Sequence, residues 1–320
     1  MQDLVTVVGG SGFIGSQVVR ALARKGLRLR IAVRRPHLAG DLRVHGEVGQ
    51  IDLVQANIRN PASLAEAMDG AAACVNLVAV AYEHGRQKFQ SLHVMGARNA
   101  ADAARKAGVS RFVQVSALGA DADSPAKFAR TKAEGEAAAR EIYPDAVVVR
   151  PSVVFGPEDN FFNRFAQMAT ISPVLPLVGG GKTRFQPVFV GDVARAVAET
   201  VVRTEVAGRT YELGGPAVYT FRELMELMLA EIQRKRLLLP IPFPAAALLG
   251  AVGDLVAATP VPPPITSDQV KLLKADNVVS PGAPGLAELG ITPTTLEAVI
   301  PTYLYRYRRG GQYAELAQVA

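Results

Sequence analysis

Short apolar runs alternate with longer amphipathic stretches through the first half of the 320-residue chain. An apolar run without polar alternation is typical of a strand that is buried on both faces, as in a parallel sheet covered by helices. The intervening stretches, such as 98–107 and 133–142, repeat their apolar positions with the period of a helix. The pattern therefore predicts an α/β fold with a doubly wound parallel sheet, and its strands are expected at 5–8, 29–33, 51–55, 73–77, 111–115 and 146–149.

Past the sixth predicted strand, glycine and proline interrupt the alternation often. Thr220, with a glutamate three residues later, predicts an N-capped helix over 221–233. Further proline-rich and glycine-rich breakers follow, which favour a small and irregular helical unit. We therefore expect two domains: residues 1–200 contain the sheet, with an insertion near 157–187 that contributes to the smaller domain, and residues 201–320 form that smaller, mainly helical C-terminal domain.

A glycine-rich turn joins the first predicted strand to an amphipathic helix, and its sequence is Gly9-Gly10-Ser11-Gly12-Phe13-Ile14-Gly15. Glycines let the backbone approach a pyrophosphate without Cβ clashes, and the N–H groups and dipole of the helix N-terminus attract that anion. In this strand, turn and helix context the pattern predicts a dinucleotide-binding Rossmann domain over residues 1–200. The expected contacts come from Gly9, Ser11, Gly12, Phe13, Ile14 and Gly15.

The positive charge of the chain is concentrated near its N-terminus. The 35 basic and 29 acidic residues give a formal net charge of +6, and residues 1–43, with eight basic and two acidic residues, account for this whole excess. A protein that binds nucleic acid nonspecifically would spread such charge over a face, so we expect a local anion site instead. Arg34 and Arg35 end the second strand, where NAD-selective proteins place a carboxylate. Guanidinium groups there would bind the 2′-phosphate of NADP(H), so the sequence predicts that cofactor. The alternative is that both arginines are solvated surface charge.

Composition excludes several other kinds of site. The single cysteine, Cys74, rules out an intramolecular disulfide and a cysteine zinc site, and the four histidines lack metal-ligand spacing, so no metal is predicted. The longest apolar run, 244–258, has fifteen residues and carries Asp254, whereas a spanning helix needs about 20 apolar residues. The first strand begins soon after Met1, so we expect no targeting peptide and a protein that is soluble or peripheral.

Three later features, together with the glycine-rich turn, resemble the short-chain dehydrogenase/reductase superfamily in its atypical or extended branch. They are Ser116 at the end of the fifth strand, a helix that carries Lys132, and the segment 150–157 (R-P-S-V-V-F-G-P). The resemblance implies a catalytic serine and a Tyr-x-x-x-Lys motif, in which tyrosine transfers the proton while lysine lowers its pKa and binds the nicotinamide ribose. Here the motif reads Phe128-Ala129-Arg130-Thr131-Lys132.

Phe128 can donate no proton, and the loss of a positioned general acid costs roughly 10²- to 10⁴-fold in rate. The resemblance therefore implies that Ser116 and Lys132 still hold a cofactor, while the set Ser116, Phe128 and Lys132 is vestigial and supports no turnover of its own. Two substitutes stay open: Tyr82, which follows the fourth strand, could project toward the nicotinamide, or Ser116 could relay a proton through water.

Within this superfamily the chain is similar, nearly end to end, to the NADPH-binding accessory subunits of respiratory complex I (NADH:quinone oxidoreductase), most clearly at 155–166, 186–193 and 284–291. The similarity implies a subunit that binds NADPH without turning it over and stabilises the junction of the peripheral and membrane arms near the quinone site. A bacterial version would be peripheral, on the cytoplasmic side of the inner membrane. Further cofactor contacts are implied for Asn57, Ile58, Leu77, Ala79, Ser116, Lys132, Pro151 and Val153.

Two segments fit docking to other complex I subunits or to anionic membrane lipid. Apolar side chains follow one another through 237–258, although a core helix of the small domain would explain them too. Four tyrosines and three arginines lie within 303–313, where an ordinary solvated terminal helix is the alternative. Two other functions stay open: a free-standing NADP-dependent reductase or epimerase, and a sensor that reports the NADPH/NADP⁺ ratio to a partner.

Overall fold

The computed structural model describes residues 3–259 and 261–311, which divide into two compact units. The first unit contains the chain up to Pro151, then Gly191–Leu213 and Pro281–Ile291. The second contains Ser152–Val190, Gly214–Ser280 and the chain from Thr292.

Thirteen strands and eleven α-helices lie within the described ranges. The strands are β1 (Leu4–Val8), β2 (Arg28–Val33), β3 (Ile51–Gln55), β4 (Ala73–Asn76), β5 (Arg111–Val115), β6 (Val147–Pro151), β7 (Val154–Phe155), β8 (Val174–Val178), β9 (Arg184–Phe185), β10 (Val188–Phe189), β11 (Thr210–Leu213), β12 (Tyr219–Thr220) and β13 (Leu237–Ile241). The helices are α1 (Phe13–Arg24), α2 (Pro61–Met68), α3 (Met95–Lys106), α4 (Lys127–Ile142), α5 (Phe162–Ile171), α6 (Val190–Val202), α7 (Phe221–Glu231), α8 (Phe243–Val256), α9 (Ser267–Leu272), α10 (Leu296–Val299) and α11 (Pro301–Leu304). Short 3₁₀ helices span Pro36–Leu38, Gly40–His45, Gly179–Gly181, Ala287–Leu289 and Tyr305–Tyr307, and a π-helix spans Gln90–Val94.

A seven-stranded sheet in the order β11-β6-β5-β4-β1-β2-β3 organises the first unit. Every pair of neighbours in it is parallel. The strand order reverses between β4 and β1, which is the mark of a doubly wound sheet. The predicted fold class is confirmed, and each of the six expected strands lies within two residues of its predicted bounds.

Small side chains let the helices approach this sheet closely. Ala97, Ala100, Ala101 and Ala104 of α3 are fully buried, and they pack in one core with the larger Phe112 of β5. Because close packing brings the helix backbones near the strands, the loops at the carboxyl ends of the strands are held on a rigid base.

The units differ from the expected division at residue 200 in two places. After α6 the chain adds β11 to the edge of the sheet, where Thr210 is in register with Val148. A later segment also belongs to the first unit, since Glu212 N–H donates to Pro284 O at 2.9 Å. Residues 201–213 and 281–291 therefore pack with the sheet, because β6 has an open edge for β11 and β11 in turn offers an amide to the later segment.

The second unit has an aromatic core with three small two-stranded sheets, β7 with β10, β9 with β12 and β8 with β13. Phe155, Phe162 and Phe221 are buried in this core beside methionine and leucine side chains of α7. The predicted capping box is present, because Thr220 Oγ1 accepts the Glu223 N–H and the Glu223 carboxylate accepts the Thr220 N–H. Among the described residues no helix has the length and apolar character needed to cross a membrane.

The tyrosine- and arginine-rich end of the chain is partly packed against its own unit, although Tyr305, Arg306 and Arg309 are exposed. Tyr303 is buried and donates its hydroxyl hydrogen bond to Asp159 Oδ2 at 2.6 Å. Arg308 forms an ion pair with Glu231, and Tyr307 donates to Asn163 Oδ1 at 3.0 Å. Tyr313 lies outside the described residues. These contacts hold Tyr303, Tyr307 and Arg308 against their own unit, so Tyr303 and Arg308 are not available to the proposed interface, whereas Tyr305, Arg306 and Arg309 stay exposed to solvent.

Candidate dinucleotide site

The glycine-rich turn between β1 and α1 is shaped by close backbone packing. Gly9 has a φ of +83°, which favours glycine, and its N–H donates to Ala32 O at 3.0 Å. A Cβ on Gly15 would lie 2.7 Å from the Gly9 carbonyl oxygen, so α1 can meet the turn only with glycine there. Gly12 differs, because a Cβ there would come no closer than 3.8 Å to any described atom outside its chain neighbours. The space beside Gly12 is therefore open.

The N-terminus of α1 offers donors to an anion. Gly12 is the N-cap residue and has no side chain to accept the first N–H groups of the helix, and the first turn carries no acidic residue. Uncapped N–H groups at a helix N-terminus, together with the helix dipole, attract phosphate. Phe13 and Ile14 are half-buried in this first turn, so their expected contribution is made through the backbone.

A cavity of about 220 Å³ opens beside the turn. It lies at the carboxyl ends of β1 to β4, next to the reversal of strand order, where ligands of doubly wound sheets bind. No acidic side chain is among its described lining residues. Eight of the residues predicted from the sequence line it together: Gly9, Ser11, Gly12, Arg34, Asn57, Ile58, Leu77 and Ala79.

Five other predicted side-chain contacts, Arg35, Ser116, Lys132, Pro151 and Val153, are not among the described lining residues of this cavity. Arg35 is exposed and does not line it. Pro151 ends β6, and its carbonyl oxygen accepts the Leu118 N–H at 2.9 Å. Val153 belongs to the second unit, where its N–H donates to Asn277 Oδ1 at 3.1 Å. The structure therefore gathers the phosphate and adenosine side of the predicted site more completely than the rest.

Ser116, directly after β5, and Lys132, in the second turn of α4, are both buried. Ser116 Oγ has no hydrogen-bond partner in the part of the chain that the structure describes. A buried hydroxyl without a partner is costly, so this oxygen is suited to a ligand group. Lys132 Nζ lies 3.5 Å from Val115 O, next to the serine, and burial lowers its pKa to about 8, although the charge of Glu136 opposes the shift.

Phe128 places a phenyl ring where the superfamily motif has its hydroxyl. Lys132 Nζ lies 6.0 Å from the centroid of this ring. A phenyl ring offers the ammonium group only its π-face and can transfer no proton. This arrangement offers a buried hydroxyl and a buried ammonium group, while the side chain at position 128 carries no hydroxyl.

Next to Lys132 lies an ionic network of Arg150, Glu136 and Glu212, which the sequence did not predict. Arg150 of β6 donates to both oxygens of Glu136, at 3.0 and 2.6 Å, and lies 3.4 Å from Glu212 of β11. The hydrogen bond to Glu136 is the main cause of the raised pKa of Arg150. Since Glu136 lies one helical turn after Lys132, the network fixes the face of α4 that carries the lysine.

His93 is a second group that the sequence did not reveal. It lies in the π-helix and is buried, its Nε2 accepts the Val80 N–H at 3.2 Å, and Nδ1 lies 3.1 Å from Thr131 Oγ1. Burial, assisted by the charge of Lys132, lowers the histidine pKa to about 3. The neutral ring therefore links the segment after β4 to α4, and the polar and apolar residues around His93 in the sequence gave no signal of this role.

Two other candidates from the sequence are separate from this arrangement. Tyr82 is half-buried in the irregular segment after β4 and does not line the cavity. Cys74 is buried in β4, and burial raises the pKa of its thiol. Within 3–259 and 261–311, no group of three or more His, Cys, Asp or Glu side chains could hold a metal ion.

Similar sequences and structures are found among known oxidoreductases and subunits of NADH dehydrogenase. The chain is 34% identical over 316 residues to a protein of Arabidopsis thaliana named NADH dehydrogenase (ubiquinone) 1 alpha subcomplex subunit 9, mitochondrial, with 96% of this chain and 79% of that protein covered. It is 32% identical over 255 residues to a ceramide reductase of Caulobacter vibrioides, with 79% and 78% covered. The crystal structure of an NADPH-dependent quinone oxidoreductase from Escherichia coli, complexed with NADPH, matches with a TM-score of 0.72 at 22% identity, with 92% of this chain and 97% of that one covered.

At 22% identity the likeness to the solved structure shows the fold alone. The family is shown by two other matches: the model described as the NAD dependent epimerase/dehydratase family fits residues 5–214, and the subunit 9 relative extends the similarity along nearly the whole chain. The chain therefore belongs to the NAD dependent epimerase/dehydratase family and, within it, is a relative of the NADH dehydrogenase 1 alpha subcomplex subunit 9 proteins.

Proposed function

We propose that the protein is a redox-inactive, NADPH-binding accessory subunit of respiratory complex I, where it stabilises the junction of the peripheral and membrane arms. The observation that carries this proposal is the pairing of an intact dinucleotide cavity with Phe128 at the position of the proton donor. The similarity to subunit 9 proteins along 96% of the chain supports the complex I assignment.

The residues present fit NADPH. The open space beside Gly12 and the uncapped N-terminus of α1 suit the pyrophosphate. Arg34 and the lack of an acid among the described lining residues suit a 2′-phosphate. The orphaned Ser116 Oγ and the Lys132 ammonium group suit the nicotinamide ribose. Bound NADPH would supply a hydride, but Phe128 leaves the chain without the group that would complete a reduction.

A free-standing reductase is the competing function, and the ceramide reductase relative gives it a precedent at 32% identity. It is disfavoured because Phe128 stands where the family motif has the tyrosine that donates the proton. A water-mediated relay through Ser116 would need the hydroxyl that we assign to ribose binding. A sensor of the NADPH/NADP⁺ ratio would share the same site and differ only in exchanging its partner with cofactor oxidation state.

The outer face of α8 is the surface that we propose to dock at the membrane. Leu248, Val252 and Leu255 are 71%, 53% and 74% exposed. The opposite side is the packed one, since a Cβ on Gly253 would lie 1.7 Å from Ile265 O. These apolar side chains are therefore outside the core, contrary to the core-helix alternative.

A basic run in the same unit as α8 favours an anionic membrane surface as the occupant. The basic run 234–236 directly precedes β13, whose Leu237 and Leu239 are 62% and 46% exposed. Basic residues beside exposed apolar ones suit anionic headgroups above a hydrocarbon layer. We therefore propose a peripheral location on the cytoplasmic side of a bacterial inner membrane, against other complex I subunits.

Native-gel migration of the tagged protein from its own membranes tests the proposal. We expect it to migrate with a multi-subunit assembly that carries NADH:quinone oxidoreductase activity. Migration as a free dimer that oxidises NADPH would contradict the proposal and support the reductase. Exchange between two assemblies according to the NADPH/NADP⁺ ratio would support the sensor.

A further inference from the structure

Two arginines from neighbouring strands converge on the adenosine side of the cavity. Arg34 follows β2 and Arg59 follows β3, and both line the cavity. Arg34 Nη1 lies 3.5 Å from Gln87 Oε1, and Arg59 Nη1 donates to Arg86 O at 3.0 Å. The two guanidinium groups therefore contact consecutive residues of the segment after β4, Arg86 and Gln87.

Neither guanidinium group has a counter-ion within the described part of the chain. Arg34 and Arg59 form no ion pair there, and their acceptors are neutral amide oxygens. The described lining of the cavity also contains no carboxylate. Two cations that share a cavity without an acid create a strong preference for an anion, and two guanidinium forks suit a phosphate.

Hydrogen bonds of Asn57 hold the backbone around Arg59 in place. Asn57 Oδ1 accepts the Arg59 N–H at 3.1 Å and lies 3.5 Å from Arg59 Nε, while the Asn57 N–H donates to Ser63 Oγ at 3.1 Å. The Asn57 side chain thereby turns toward Arg59 and orients it. Arg34 and Arg35 are both exposed, but only Arg34 lines the cavity.

We propose that Arg59 is a specificity-determining residue that binds the 2′-phosphate of NADPH together with Arg34, and that Arg35 contributes little. This inference rests on the proposed function, because it assumes that the cavity takes a dinucleotide. It adds a residue that follows β3, 25 positions after Arg34 in the chain, to the anion site expected from the end of β2 alone.

Calorimetric titration of the full-length, nucleotide-stripped protein with NADPH and with NADH tests the assignment. We expect Arg59→Ala and Arg34→Ala each to weaken NADPH binding by about 10- to 100-fold and to leave NADH binding within about twofold, because only NADPH carries the extra phosphate. Arg35→Ala should have a small effect. Arg43→Ala, an exposed arginine of the same basic region that does not line the cavity, is the matched control and should change neither affinity.

The outcomes separate this inference from the proposed function. If the wild-type protein prefers NADPH and Arg59→Ala keeps that preference, the role of Arg59 is overturned while the cofactor assignment stands. If the wild-type protein binds both nucleotides equally, or neither, the NADPH assignment and the Arg59 inference fail together. Equal loss of both nucleotides in Arg59→Ala, with Arg59→Lys restoring neither, would assign Arg59 to shaping the cavity and overturn its specificity role.

Discussion

The phosphate end and the reaction end of the first unit have been preserved to different degrees. At the phosphate end, the space beside Gly12 is open and Arg34 lines the cavity, as our proposal of a bound dinucleotide requires. At the reaction end, Ser116 and Lys132 keep their polar atoms, but Phe128 presents a ring that can donate nothing. Binding and proton transfer depend on different side chains, so one substitution can remove turnover and leave the cofactor in place.

A tyrosine at position 128 would restore a hydroxyl at the reaction end and should have the largest effect on activity. Phe128→Tyr should raise NADPH oxidation with carbonyl or quinone substrates by roughly 10²- to 10⁴-fold over the wild type, because Lys132, whose pKa burial lowers to about 8, is already in place to assist the new hydroxyl. Initial rates at constant NADPH measure the effect. Phe128→Leu serves as the control and should stay at the wild-type level. Comparable oxidation by the wild type and the tyrosine variant would show that another group supplies the proton.

The ionic network behind Lys132 should contribute most to the stability of the reaction end. Arg150→Met removes the guanidinium group that pairs with the buried carboxylates of Glu136 and Glu212, and we expect a loss of about 3 kcal/mol in the free energy of unfolding. Urea denaturation measures this loss. Lys106→Ala removes the exposed pair with Asp102 and should cost about 0.5 kcal/mol or less. Equal effects of the two substitutions would mean that the network is not buried as described.

Two alanine substitutions at the phosphate end should distinguish a loss of stability from a loss of nucleotide affinity. Gly15→Ala places a Cβ against the turn and should destabilise the protein by about 1–3 kcal/mol even without nucleotide. Gly12→Ala meets only open space, so the apo protein should melt as the wild type does, whereas NADPH affinity should fall by about tenfold or more. Thermal melts with and without NADPH distinguish the two. If Gly12→Ala keeps wild-type affinity, the pyrophosphate does not lie beside Gly12.

The buried lysine predicts a pH dependence of the apo protein. Its pKa falls to about 8 in the fold from an unfolded value of 10.5, so between these two values the unfolded chain binds the extra proton. Stability should therefore rise with pH from about 8 to 10.5, by at most about 1.4 kcal/mol per pH unit. Lys132→Met should remove this rise in urea denaturation, and a wild-type curve that stays flat or falls relative to the variant would contradict the burial of a titrating lysine.

How well each of these features can be predicted depends on how far apart in the sequence its contacting residues lie. The strands and the phosphate loop are local, since apolar runs and a glycine-rich turn encode them in a few neighbouring residues. The four-residue strand β11 carries Glu212 and has no such signature, and it is a strand only because the edge of β6 receives it. Likewise His93, Arg59 and the Glu136–Arg150–Glu212 network act through partners far away in the chain, such as Val80, Arg86 and β11. Spacing along the sequence cannot reveal contacts of that kind.

The central claim, that the protein holds NADPH and does not turn it over, is tested most directly in the intact assembly. The complex that copurifies with the tagged chain is given NADH and quinone, and its bound nucleotide is extracted before and after many turnovers. Our account predicts NADPH in equimolar amount with the chain, and in the same reduced state at both times. Progressive oxidation of that NADPH during turnover, or its absence from the assembly, would contradict the account.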